Sequence, residues 1–192
     1  MGKHKQAWYV INGITLYRII AAPVLLILLF TGYLHIFKWL LAVSFFTDLI
    51  DGFLARKFKV TSIMGSRLDS IGDDLTVMVG IVGLFVLKFD FIKQQQVVFY
   101  ILLGLFLIQV SYAFYRYGKM TSFHTWLAKT AALLQGVFLI LVFFTAEPVM
   151  ILFYTATGIT MLELIEEIIL VYLLPTWQAN VRGIYEVLKK KN

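Results

Sequence analysis

The sequence contains no cysteine. Disulfides, thiolate nucleophiles and thiolate metal sites are therefore excluded. It also lacks internal repeats and low-complexity segments, so a solenoid or a disordered array is not expected. Short alternating stretches of the kind that build a membrane barrel, about 10 residues each, are absent as well. What is abundant is apolar surface. Hydrophobic residues make up 60% of the 192 positions and the mean hydropathy is +0.85, against about 45–50% apolar in typical soluble domains. The excess falls in long runs separated by short charged stretches. Only helices and closed barrels satisfy their backbone in lipid, and these runs are long enough for helices.

Six spans are expected, at roughly 11–31, 36–55, 67–88, 95–116, 124–146 and 149–174. Connections are short, so residues 1–192 are read as one domain. The fold class is all-α: an integral membrane bundle of six transmembrane helices. Orientation follows from Lys and Arg. Lys3, Lys5, Arg56, Lys57, Lys59, Arg67, Arg116, Lys119, Arg182, Lys189, Lys190 and Lys191 fall on one side, and Lys38, Lys88 and Lys93 on the other. The positive-inside rule then places both termini in the cytoplasm. No cleavable signal peptide is expected. Lys3 and Lys5 precede an apolar run, but Arg18 interrupts it and it outlasts an h-region, so it reads as the first helix. The net charge of +6 lies in loops and termini, where topology accounts for it without a nucleic-acid partner. After Pro175 the stretch VRGIYEVLKKKN reads equally as an interfacial helix on anionic headgroups or as a disordered basic tail.

Acidic residues inside apolar spans are costly, about 2.5–3.5 kcal/mol each at the bilayer centre, and normally face a bundle interior or a wet cavity. Span 2 ends SFFTDLIDGFLAR, with Asp48, Asp51, Gly52 and Ala55 at i, i+3, i+4 and i+7 on one helix face. Span 3 opens MGSRLDSIGDDL, with Gly65, Asp69 and Asp73 at i, i+4 and i+8. Two helices joined by KFKVTSIM bring the four carboxylates to one end. Such a cluster repels itself unless neutralised. Hard divalent cations suit it, since they take carboxylate and phosphate oxygens, and two of them can bridge a diphosphate. Small residues on the same faces let a ligand approach the backbone. Arg56 reads either as a phosphate contact or as the inner boundary of span 2.

The run DLIDGFLARKFKVTSIMGSRLDSIGD fits D-x2-D-G-x2-A-R-x8-G-x3-D-x3-D at all its fixed positions: Asp48, Asp51, Gly52, Ala55, Arg56, Gly65, Asp69 and Asp73. At residue frequencies of about 5–10% each, chance agreement is on the order of 10⁻⁹ per start position. This is the signature of the CDP-alcohol phosphatidyltransferases, which the chain resembles. NGITLYRIIAAP, residues 12–23, is similar to the N-x-[IL]-T-x2-R opening of that family's first helix. Six helices and cytoplasmic termini agree with it too.

The resemblance implies a multi-pass enzyme of the cell membrane with its site on the cytoplasmic side. Asp48, Asp51, Asp69 and Asp73 would hold two ions, Mg²⁺ or Mn²⁺. Gly52, Ala55, Arg56 and Gly65, with Ser62 near the cytidine, would contact the CDP moiety. Asp73 would also act as general base toward a small alcohol acceptor, which takes the phosphatidyl group from CDP-diacylglycerol as CMP leaves. Membrane lipid surrounds it, and the homodimers frequent in the family are compatible with these spans.

For the acceptor, the cations Arg116, Lys119 and Lys129 are candidates, with Arg18 in span 1 also able to face the aspartates. For Arg116 and Lys119 the boundary-marker reading is preferred to the acceptor one. His124 reads as structural. Glu163, Glu166 and Glu167 in span 6 are expected to pair with Lys129 or Arg18, with lining of the acceptor pocket as the alternative. Asp74, about 100° around the helix from Asp73, is expected to face elsewhere, toward Arg67. Members that use glycerol phosphate often read D-P-x2-D-K at the third and fourth aspartates, whereas Ser70 and Asp74 stand here, which leaves the acceptor open. An intramembrane prenyltransferase is a weaker reading, because its motifs are more widely separated and its helices more numerous. A divalent-cation transporter would hold carboxylates near the midplane and leaves Gly52, Ala55, Arg56 and Gly65 without a role.

Overall fold

A computed structural model describes residues 2–58, 63–179 and 181–191; side chains are described from 13 onward, except at 48, 49, 51–58, 63–67, 69, 70, 190 and 191. Six helices of 19 to 29 residues occupy the six expected stretches: α1 Gly2–Phe30, α2 Leu34–Phe58, α3 Ile63–Leu87, α5 Gln96–Tyr117, α6 Trp126–Phe144 and α7 Met150–Leu173. Two short ones accompany them, α4 Phe89–Gln94 and α8 Ile184–Lys191. The first occupies the connection between the third and fourth expected spans, and α8 decides for a helix in the C-terminal stretch. Among the described residues the regular structure is helical, and β pairing is confined to one parallel bridge, Ser122 to Ala179. Three helical stretches are long and apolar enough to cross a membrane: Gly13–Phe30, Gln96–Tyr117 and Trp126–Phe144. Leu34–Thr47 is a shorter apolar one. Their outward faces carry large apolar side chains such as Ile20, Ile27, Phe30, Leu103, Leu107 and Ile108. A surface of this kind suits a lipid surrounding.

The chain divides into two compact units. The first comprises residues 1–89 and 142–146, and in it α1 packs against both α2 and α3. The turn between α1 and α2 closes at Gly32, whose φ of 82° is a left-handed conformation that glycine adopts without a Cβ penalty. Tyr33 N–H reaches back to the Leu28 carbonyl at 3.0 Å and satisfies one of the helix's last acceptors. Phe37, Leu41, Leu25 and Val142 are fully buried. Phe37 meets Phe143 edge-on, with ring centroids 5.4 Å apart. Gly83 lies against both rings: a Cβ there would stand 2.9 Å from Phe37 Cζ and 3.0 Å from Phe143 Cζ.

The second unit comprises 90–141 and 147–192, with α5 packed on α7 and α8 on α7. Phe153 is its aromatic centre, 4.9 Å from Phe91, 5.4 Å from Phe138 and 5.8 Å from Phe99 between centroids. α5 ends at Gly118, left-handed with φ 67°, whose N–H caps the Phe114 carbonyl. The segment after it lies beside the C-terminal stretch. His124 N–H donates to Val181 and Trp126 N–H to Arg182. Ile184 and Val187 of α8 pack on a cluster of Ala113, Phe123, Leu170, Val171, Leu174 and Val181.

Candidate active site

The buried face of α1 is read off NGITLYRIIAAPVLL. Thr15, Arg18, Ala22, Leu25 and Leu29 recur at i, i+3, i+7, i+10 and i+14, and all are buried. On α3 the matching stripe is small: Gly72, Thr76, Gly80 and Gly83. Small side chains let two helices approach closely. A Cβ built on Gly72 would sit 3.5 Å from Arg18 Cβ and 3.6 Å from its Cζ and Nε. The arginine therefore lies flat against the backbone of α3. Thr76 Oγ1 turns back to the Gly72 carbonyl at 2.8 Å, which spends its donor inside the helix.

Arg18 is 0% exposed. A guanidinium stays ionised in proteins, so one in this position needs a counter-charge. Asp73 supplies it: Arg18 Nη1 donates to Asp73 Oδ1. The Asp73 side chain is 40% exposed. It thus bridges a buried cation and open space, a carboxylate held on one side and accessible on the other. Asp74, next to it in the chain, is exposed, and its expected neighbour Arg67 has a side chain outside the described residues.

The rest of the expected carboxylate site can be placed only along the chain. Asp48, Asp51, Gly52, Ala55 and Arg56 belong to α2, and Gly65 and Asp69 to α3, but their side chains lie outside the described residues, as does that of Arg67. Ser62 lies outside the described residues altogether. α2 and α3 pack together. The donor set, four carboxylates and no softer ligand, fits a hard divalent ion such as Mg²⁺ or Mn²⁺. The accessible carboxylate of Asp73 is compatible with a share in holding one.

The remaining candidates belong to the second unit. Arg116 Nε donates to the Leu174 carbonyl at 3.2 Å, where α7 ends. Lys119 Nζ stands 3.7 Å over the Trp177 ring, whose Nε1 donates to the Met120 carbonyl at 3.0 Å. Lys129 is exposed, with Nζ 4.8 Å from the Trp126 ring. His124 is exposed too. The expected pairing of the span 6 glutamates with Arg18 or Lys129 is corrected. Arg18 takes Asp73, and Lys129 takes an aromatic face. Glu167 Oε2 instead accepts from Gln109 Nε2 at 2.6 Å and Thr121 Oγ1 at 2.8 Å, while Glu166 Oε1 accepts the Ile184 N–H at 3.2 Å. On sequence grounds Arg18 could face the aspartates or pair with the span 6 glutamates; the structure places it on Asp73. The available signal was polar Thr15 and Arg18 on one apolar face.

Three helical stretches long and apolar enough to cross a membrane, together with a buried arginine paired to a half-open aspartate within the first unit, fit a helical membrane protein. Residues 8–174 match the CDP-alcohol phosphatidyltransferase family. The chain belongs to that family and is an enzyme, a phosphatidyltransferase of phospholipid biosynthesis. It is 30% identical over 162 residues to the CDP-diacylglycerol–glycerol-3-phosphate 3-phosphatidyltransferases of Rickettsia typhi and Rickettsia prowazekii. These matches cover 83% of this chain and 85% and 83% of those proteins. A cardiolipin synthase (CMP-forming)/mitochondrial hydrolase fusion protein of Schizosaccharomyces pombe is 37% identical over 62 residues, 32% of this chain and 10% of that protein's length. No solved structure matches the chain.

Proposed function

We propose that this enzyme transfers the phosphatidyl group of CDP-diacylglycerol to glycerol 3-phosphate, with release of CMP. The observation that carries the reading is the similarity to the two rickettsial 3-phosphatidyltransferases along most of both chains. In the proposed arrangement α1, α2, α3, α5, α6 and α7 all cross the cell membrane, with both termini and the site on the cytoplasmic side. Residues 1–192 act as one catalytic domain.

Asp48, Asp51, Asp69 and Asp73 hold two Mg²⁺ or Mn²⁺ ions, which when bound neutralise the diphosphate and its leaving group. Gly52, Ala55 and Gly65 admit the CDP moiety close to the backbone, and Arg56 and Ser62 hold it by hydrogen bonds. Arg116, Lys119 and Lys129 are the candidates for the acceptor's phosphate. Asp73 takes the proton of the acceptor hydroxyl. The oxygen forms a bond to the phosphorus that carries diacylglycerol, and the bond from that phosphorus to CMP breaks. An accessible carboxylate with a fixed orientation suits proton transfer at that position.

The test is CMP release by purified protein given CDP-diacylglycerol, Mg²⁺ and one acceptor at a time. Because Ser70 and Asp74 depart from the usual run, the panel holds glycerol 3-phosphate, inositol phosphate, inositol, serine and phosphatidylglycerol. Release with glycerol 3-phosphate alone, lost on chelation and in Asp73→Asn, supports the reading. Release only with phosphatidylglycerol would move the assignment to the activity named for the fission-yeast relative.

A further inference from the structure

We propose that Arg18 is a positioning residue of this site: from the interior of the first unit it holds Asp73 in the orientation in which that carboxylate serves metal and acceptor. The inference rests on the reading of Asp73 as metal ligand and base. It assigns a role to a residue outside the aspartate motif, 55 positions away in the chain.

Burial decides the kind of role. With no exposed surface, Arg18 cannot touch a phosphate of either substrate, so it is not a catalytic residue. Its guanidinium is held by shape as well as charge. Gly72 leaves room for Nε and Cζ against the helix backbone, and Thr76 is occupied with the Gly72 carbonyl. A planar donor wedged in this way presents Nη1 in one direction, and Asp73 Oδ1 receives it. The Asp73 side chain is 40% exposed, so its orientation depends on the polar groups that hold it rather than on close packing. A charge-assisted hydrogen bond from a rigid donor selects one orientation. Groups that orient a ligand from behind in this way typically alter metal affinity or activity by about 10- to 100-fold when removed. Misplacing a reacting group by about 1 Å costs a similar factor.

The experiment uses the full chain in detergent micelles, with Arg18→Lys, Arg18→Met, Asp73→Asn and the double variant R18K/D73N. Mn²⁺ binding is followed by electron paramagnetic resonance, which needs no choice of acceptor. Helical circular dichroism checks folding, and kcat and KM for CDP-diacylglycerol are taken at saturating metal. Expected are R18M and R18K that stay helical, bind Mn²⁺ at least about 10-fold more weakly, and lose kcat by about 10- to 100-fold with KM little changed. R18K is expected to retain more of both than R18M. In the Asp73→Asn background R18K should weaken Mn²⁺ binding no further, because the group it orients is already gone. Parental Mn²⁺ affinity and kcat in R18K, or full additivity with Asp73→Asn, would overturn the proposal. So would loss of helical structure in both single variants, since a positioning role leaves the packed helices intact. If the parent protein binds Mn²⁺ but releases no CMP with any acceptor, the proposed reaction fails while the positioning test remains readable. If the parent binds no Mn²⁺, the metal-site reading fails first and takes the proposal with it.

Discussion

Gln109, Thr121 and Glu167 form a closed triangle inside the second unit. Gln109 Nε2 donates to Thr121 Oγ1 at 2.8 Å and to Glu167 Oε2 at 2.6 Å, and Thr121 donates to the same carboxylate oxygen at 2.8 Å. Gln109 and Glu167 are only 4% and 8% exposed. Gln109→Leu leaves Glu167 with Thr121 as its one donor in this triangle, and Glu167→Leu leaves an amide N–H of Gln109 without an acceptor. An orphaned buried group costs about 1–3 kcal/mol, whereas replacing both partners by apolar groups of similar volume is nearly neutral. The double variant Q109L/E167L should therefore be more stable than the sum of its singles predicts. In a membrane the unfolded helices also find polar partners, so couplings there average about 0.6 kcal/mol and reach about 1.7. Burial of both groups puts this pair near the upper end, at about 1.5 kcal/mol, or roughly tenfold in the unfolding constant. The assay is SDS-driven unfolding in mixed micelles, followed by circular dichroism and tryptophan fluorescence. Trp177, bonded to Met120 beside Thr121, reports on this region. Additive singles, within the roughly 0.3–0.5 kcal/mol of independent sites, would refute the argument.

Two further expectations concern packing. Phe153→Ala removes the ring that joins Phe91, Phe99 and Phe138, and should cost about 3–5 kcal/mol in the same unfolding assay, with Phe153→Leu costing less than half as much. Gly83→Val places a branched side chain where a Cβ alone would already stand 2.9 Å from the buried Phe37 ring. It should destabilise the first unit by at least about 1–3 kcal/mol, read as a lower thermal midpoint in detergent.

Much of this protein is legible in its sequence. Apolar runs separated by basic stretches located six long helices to within a few residues at most ends, because hydropathy and helical period are local properties of the chain. The exception is α1, which begins nine residues before the expected span, since Lys3 and Lys5 end an apolar run without ending a helix. The aspartate motif was likewise visible, since its spacing along two consecutive helices is a local pattern, and it named the family. What only the tertiary structure decided is which charge meets which. Arg18 was equally compatible with Asp73 and with the span 6 glutamates on sequence grounds, and it is the close approach of α1 to Gly72 of α3 that selects Asp73. Glu167 turned to Gln109 and Thr121 instead of a cation, and Arg116 was drawn to the end of α7. These choices join residues 46 to 58 positions apart. Such pairings depend on how helices pack, and packing is set by the summed fit of many side chains rather than by any pattern within one helix.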